Sequence, residues 1–157
     1  MKNLVYQQKG VTESENKTIG SDEQSINSFN DRPRYTPDMI KSLKEDEIFV
    51  FGSNLEGMHG GGAARVARLH FGAIMGQGIG LQGQSYAIPT MQGGVETIKP
   101  YVDEFIEFAR NHRELYFYVT RIGCGIAGFR DEEIAPLFAK AIHEPNICLP
   151  RSFTQEV

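Results

Sequence analysis

The chain has 157 residues, of which 40% are hydrophobic and 23% charged, with a formal net charge of -4 and a pI near 5.6. That length is enough for one sizeable core and short for two ordinary domains, and the acidic balance lacks the broad positive field of proteins that coat DNA or RNA. Cys124 and Cys148 form no C-x-x-C pair and the four histidines are scattered, so neither a disulfide framework nor a metal site is expected.

Met1-Lys2 is not followed by an apolar run, and no stretch approaches the roughly 20 apolar residues needed to span a bilayer. A cytoplasmic, membrane-free protein in a reducing compartment is the expectation. Leu4-Val5-Tyr6 could add an edge strand. From Gln7 to about Asp31 the chain is rich in Gln, Ser, Thr, Glu and Asn, a composition that buries too little surface to offset ordering entropy. Residues 1–34 therefore read as a polar tail, partly disordered or docked, and 35–157 as the folded domain. Thr36-Pro37 has the form of a helix entrance, which predicts a short helix from Pro37 to about Leu43.

Ile48-Phe49-Val50-Phe51 is a continuous apolar run, as in a strand covered on both faces. It ends in Gly52-Ser53-Asn54. After Gly60-Gly61-Gly62, the residues Ala63, Val66, Ala67 and Phe71 fall on one helical face, and Gly72 stops that helix. The glycine-rich stretch Gly76 to Gly83 reads as a loop. Ser85 to Ile88 is the next strand, closed by Pro89. Thr97 can cap a helix with Ile98, Tyr101, Val102, Phe105, Ile106 and Ala109 inward. Leu115 to Val119 reads as a central strand and leads into Gly123-Cys124-Gly125-Ile126-Ala127-Gly128. Asp131 can cap a helix with Ile134, Leu137, Phe138, Ala141 and Ile142 inward, late-starting or kinked at Pro136. Asn146 to Leu149 is the last strand. Four strand-helix alternations predict an α/β fold with a mostly parallel central sheet and helices on both faces.

Ligands of such sheets bind beyond the carboxyl ends of the strands, where glycine lets the backbone approach a phosphate and free N–H groups donate to it. Gly123-x-Gly125-x-x-Gly128 formally satisfies the dinucleotide fingerprint. Too little chain follows for a Rossmann unit, and the strand candidate Asn146 to Leu149 holds no acidic residue. Phosphate binding survives that objection, although the spacing also suits a tight turn. Gly52-Ser53-Asn54 followed by Gly60-Gly61-Gly62 is more specific, because three glycines in an ordered site imply a surface that must stay free of side chains. His59 could contact a phosphate or act as an acid, or be an exposed loop residue. Cys124 has no neighbouring base and reads more readily as packing than as a nucleophile. Arg121 could steer an anion or pair with Asp131 or Glu132. Gln77, Gln82 and Gln84 suit hydrogen bonding to a base or ribose, and suit turns equally.

Phe51-Gly52-Ser53-Asn54, Gly60-Gly61-Gly62, Ser85-Tyr86-Ala87-Ile88-Pro89 and Gly123 to Phe129, in this order, resemble the macro domain, the ADP-ribose-binding module, over roughly Glu47 to Ile142. The resemblance implies a three-layer α/β/α fold and a binder of ADP-ribose or a related NAD-derived nucleotide. It places Asn54 at the distal ribose, lets that ribose lie against Gly61 and Gly62, and has Gly125, Ile126, Ala127 and Gly128 donate N–H groups to the phosphates. Phe129 would flank the sugar or adenine side, or simply pack in the core. Two departures matter: the family's Gly-Asp-Ile-Thr segment, whose Asp recognises the adenine amine, has no counterpart before Ile48, and Ala64 stands where hydrolytic members carry Asp. A hydrolase of ADP-ribosyl groups or ADP-ribose phosphate, using Asn54 with His59 as a helper, is the enzymatic alternative. An interaction module without a ligand is the third. No cofactor is implied.

Overall fold

The computed structural model describes residues 31–155. The edge strand at Leu4-Val5-Tyr6 and nearly all of the polar tail lie outside them. Five strands form one sheet in the order β2-β3-β1-β4-β5: β1 is Glu47–Ser53, β2 Gly80–Gln82, β3 Ser85–Pro89, β4 Tyr116–Val119 and β5 Ile147–Cys148. β1 pairs in parallel with β3 and β4, and β4 with β5, while β2 runs antiparallel to β3. The sheet is therefore mixed, with a parallel core.

β1 is central, and its side chains alternate between two apolar clusters, as the period of two in a strand requires. Ile48 and Val50 join Ile88, Phe117 and Val119 in the larger core, which is closed by helix α2 (Val95–Arg110), by a 3-10 segment (Ala135–Ala141) and by Phe153 of helix α4 (Arg151–Gln155). Phe49 and Phe51 face the other way, against Ala64, Ala67 and Phe71 from helix α1 (Gly62–His70) and its end. Helices thus cover both faces, and every βα connection delivers its loop to the carboxyl ends of the parallel strands.

Four expectations are corrected. Residues 37–43 are not helical. Thr36 donates its N–H to the Leu149 carbonyl at 2.9 Å and its hydroxyl to the Cys148 carbonyl at 3.0 Å, so this segment lies along the end of β5, and Ile40 and Leu43 pack on the sheet. A helix of two turns is too short to compete with those tertiary contacts. The stretch from Gly76 is not all loop: Gly80–Gln82 pairs with β3 across a two-residue turn at Gly83-Gln84. Gly83 has φ +60°, and a Cβ there would lie 2.7 Å from the Gly72 Cα, so this hairpin requires glycine. Helix α2 begins two residues before Thr97, whose hydroxyl donates to the Gly94 carbonyl at 2.6 Å from inside the first turn. Asp131 is the first residue of helix α3 (Asp131–Ile134), and the cap is Arg130, whose N–H donates to the Glu133 carboxylate at 2.8 Å. The chain then tightens to 3-10 geometry around Pro136, the irregularity that residue foreshadowed.

Packing against the sheet begins upstream of residue 35. Arg32, 6% exposed along its side chain, reaches Asp46 at 3.1 Å and Glu47 at 3.4 Å, and the Cys148 thiol lies 3.5 Å from the Pro33 carbonyl. Asn146 donates to the Ala109 carbonyl at 2.9 Å, which ties the end of α2 to the entrance of β5.

Candidate functional site

A cavity of about 160 Å³ opens at the carboxyl ends of β1, β3 and β4. Three chain segments converge on it: Gly52-Ser53-Asn54 at the end of β1, Gly61-Gly62 leading into α1, and Gly123 to Ala127 after β4. Convergence follows from topology, since β3 and β4 flank β1 in parallel and their exits fall side by side.

Glycine and alanine supply much of the lining, so backbone amides there are little covered by side chains. Helix α1 has no side-chain cap at Gly61, so the N–H groups of Gly62, Ala63 and Ala64 are the unpaired donors every helix start leaves. Opposite them, the loop after β4 is folded by its own bonds, Gly128 N–H to the Gly125 carbonyl at 2.9 Å and Phe129 N–H to the Gly123 carbonyl at 2.8 Å. Among the described residues, the N–H groups of Gly123, Gly125, Ile126 and Ala127 donate to no carbonyl. The two segments come close at the mouth: a Cβ built on Gly61 would lie 3.3 Å from the Ile126 Cδ1. Among the described residues Arg121 is the only ionisable side chain in the lining, and Met58, Met91 and Ile126 form an exposed apolar rim. Such a cavity attracts an anion through amide dipoles and the positive end of α1.

Gly52, Ser53, Asn54, Gly61, Gly62, Gly123, Gly125, Ile126 and Ala127, all named from the sequence, line the cavity. Ser53 does so with its hydroxyl donated to the Gly78 carbonyl at 2.6 Å. The Asn54 carboxamide is folded back on its own loop, accepting from the Met58 N–H at 2.8 Å and donating to the Met58 carbonyl at 3.3 Å. Gly78 lies so close beneath that a Cβ there would collide with the Asn54 carbonyl oxygen.

Gly60, His59, Cys124, Gly128 and Phe129 are not in the lining. His59 is fully buried under the glycine run, edge-on to Phe51 at 5.2 Å, with Nε2 3.0 Å from the Gln77 carbonyl. It is neither an exposed loop residue nor within the cavity. Gln82, also buried, accepts the Ile74 N–H at 2.8 Å and approaches His59 Nε2 at 3.3 Å, so it braces the glycine loops from below. Gln77 likewise holds the loop, donating to the Ile79 and Leu81 carbonyls. Gln84 donates to the Lys44 and Glu47 carbonyls at the opposite end of β1. Phe129 and Cys124 pack against the larger core.

The Cys124 thiol donates to Asp131 at 3.4 Å, and burial, reinforced by that bond, pushes its pKa up to about 12, which keeps it protonated and unreactive at neutral pH. Asp131 is held below the usual carboxylate range, chiefly by its bond to Arg121, whose Nε and Nη2 donate at 3.0 and 2.8 Å. Of the two partners considered for Arg121, Asp131 is the one it takes. Thr90 and Met91, which follow β3, also line the cavity and were not singled out in sequence. The signal was present, because they leave β3 as Asn54 and Leu55 leave β1, with Pro89 level with Ser53.

A second cavity, of about 590 Å³, shares Thr120 and Arg121 with the first and extends to Asp38, Asp131, Pro150 and Arg151. Among the described residues no helix is long and apolar enough to cross a membrane. Comparison with protein-family models, with curated proteins and with solved structures returned no match.

Proposed function

We propose that this protein is a macro-like, three-layer α/β/α domain, acting in the cytoplasm, that binds ADP-ribose or a related NAD-derived nucleotide at the carboxyl ends of β1, β3 and β4. The observation that carries this reading is the meeting of two segments with unpaired amides, Gly62 to Ala64 at the start of α1 and Gly123 with Gly125 to Ala127 after β4, at a cavity lined by no carboxylate among the described residues. Backbone donors with no competing negative side chain favour a phosphate without requiring lysine. The apolar rim of Met58, Met91 and Ile126 suits the carbon face of a sugar placed between them.

Binding is favoured over hydrolysis. The side chains that would have to move a proton are engaged or remote: Asn54 is bonded to Met58 through both ends of its carboxamide, His59 is sealed beneath the loop, and Ala64 offers no acid. Calorimetric titration of ADP-ribose into the protein tests the reading, with chromatography of the recovered nucleotide in parallel. Micromolar-range binding with unchanged nucleotide is the expected outcome. Release of phosphate from ADP-ribose phosphate, or of ADP-ribose from a modified protein, would instead support the hydrolase. A folded protein that gives no heat with ADP-ribose would refute both and return attention to an interaction module.

A further inference from the structure

Arg121 occupies a position that the amide site alone does not explain. It lines the small cavity and also the larger one, so the two adjoin at its side chain. Although 56% of that side chain is exposed, the guanidinium is not loosely placed. Asp131 accepts from Arg121 Nε at 3.0 Å and Nη2 at 2.8 Å, from the Ser152 hydroxyl at 3.1 Å and from the Cys124 thiol at 3.4 Å. A carboxylate held by four donors from two separate parts of the chain is a firm anchor, and it orients the guanidinium by one edge. Nη1 takes no part in that pairing and has no partner among the described residues. Guanidinium N–H groups with fixed direction match phosphate oxygens in geometry as well as charge.

Size and charge divide the two cavities by task. The smaller, at about 160 Å³, is below the range of about 300–1,000 Å³ usual for whole ligands. The larger, at about 590 Å³, carries Asp38 and Asp131 against Arg121 and Arg151, so its charges balance and it suits a neutral polar group better than a further anion. We infer that Arg121 forms a second anion subsite at the junction. It takes the second phosphate of a diphosphate diester whose first phosphate lies on the amide banks and whose neutral polar end enters the larger cavity, and Asp131 is its positioning residue. This rests on the nucleotide reading above and narrows it to ligands with two linked phosphates.

The test is calorimetric titration of inorganic phosphate, pyrophosphate and ADP-ribose into the wild-type protein and into Arg121→Gln, Arg121→Lys and Asp131→Asn, each first shown to unfold cooperatively. Arg121→Gln is expected to lower affinity for pyrophosphate and ADP-ribose about tenfold more than affinity for phosphate, the scale of one charged hydrogen bond. Arg121→Lys restores part of the loss, because the charge returns without the fork. Asp131→Asn reduces the preference for pyrophosphate over phosphate, and adding it to Arg121→Gln reduces that preference no further, a pattern that a merely structural role for Asp131 would not produce. Equal losses for phosphate and pyrophosphate in Arg121→Gln, or no loss at all, would overturn the subsite while leaving the amide site standing. A folded wild-type protein that takes up none of the three ligands would refute the nucleotide reading itself, and the subsite with it.

Discussion

Replacing Gly125 by Glu separates the electrostatics of the site from its fold. A Cβ built on Gly125 meets no heavy atom within 4 Å, and the residue is exposed with φ outside the left-handed region. The fold should therefore tolerate the change, with stability altered by less than about 0.5 kcal/mol. The new carboxylate enters the mouth of a cavity that owes its anion preference to Gly123, Ile126 and Ala127 N–H groups on the same loop. At about 5 Å from a phosphate, and with an effective dielectric constant of about 20, two unit charges repel by about 3 kcal/mol. A loss of that size is on the order of a hundredfold in affinity. Titration of ADP-ribose into Gly125→Glu and Gly125→Gln provides the measurement, since Gln has the same size without the charge. The Glu variant should bind far more weakly than the Gln variant, and the gap should narrow as salt is raised. Equal losses in the two variants would show that bulk rather than charge matters there, and the electrostatic account of this loop would fail.

Other consequences are accessible to routine measurement. Asn54→Ala removes both bonds to Met58 and should cost about 1–3 kcal/mol in urea unfolding, with ADP-ribose affinity falling as the loop loosens. Gly83→Ala places a Cβ against the Gly72 backbone at positive φ and should cost at least about 1–3 kcal/mol, read as a lower denaturation midpoint. Cys124 should react much more slowly with iodoacetamide at pH 8 than after unfolding, because burial raises its pKa to about 12, well above that of a free thiol. A thiol whose folded pKa is raised contributes stability that is complete below the unfolded value and lost as pH climbs from about 9 to about 12. Asp131 has the opposite sign: its lowered pKa contributes stability above the ordinary carboxylate range that disappears as pH falls through the folded value, and Asp131→Asn should flatten that acid limb.

Much of the architecture is legible in the chain itself. Ile48 to Phe51 and Leu115 to Val119 are unbroken apolar runs and Ser85 to Ile88 nearly so, the pattern of strands buried on two faces. The helical stripes of α1 and α2 follow with equal directness from spacing, and so do the glycine loops at the strand exits. These features are local, and residues within one turn or one strand repeat suffice to specify them. Tertiary structure decided the rest. It set the strand order and the antiparallel β2, drew Thr36 out of a helix and onto β5, buried His59 beneath the glycine run, and folded Asn54 back onto Met58. It also joined Arg121, Asp131 and Ser152 from separate segments into one network between two cavities. The physical reason is that a local pattern records which backbone geometry a segment prefers, whereas the partner of a polar side chain depends on which distant segments the packed sheet and helices bring within hydrogen-bonding reach.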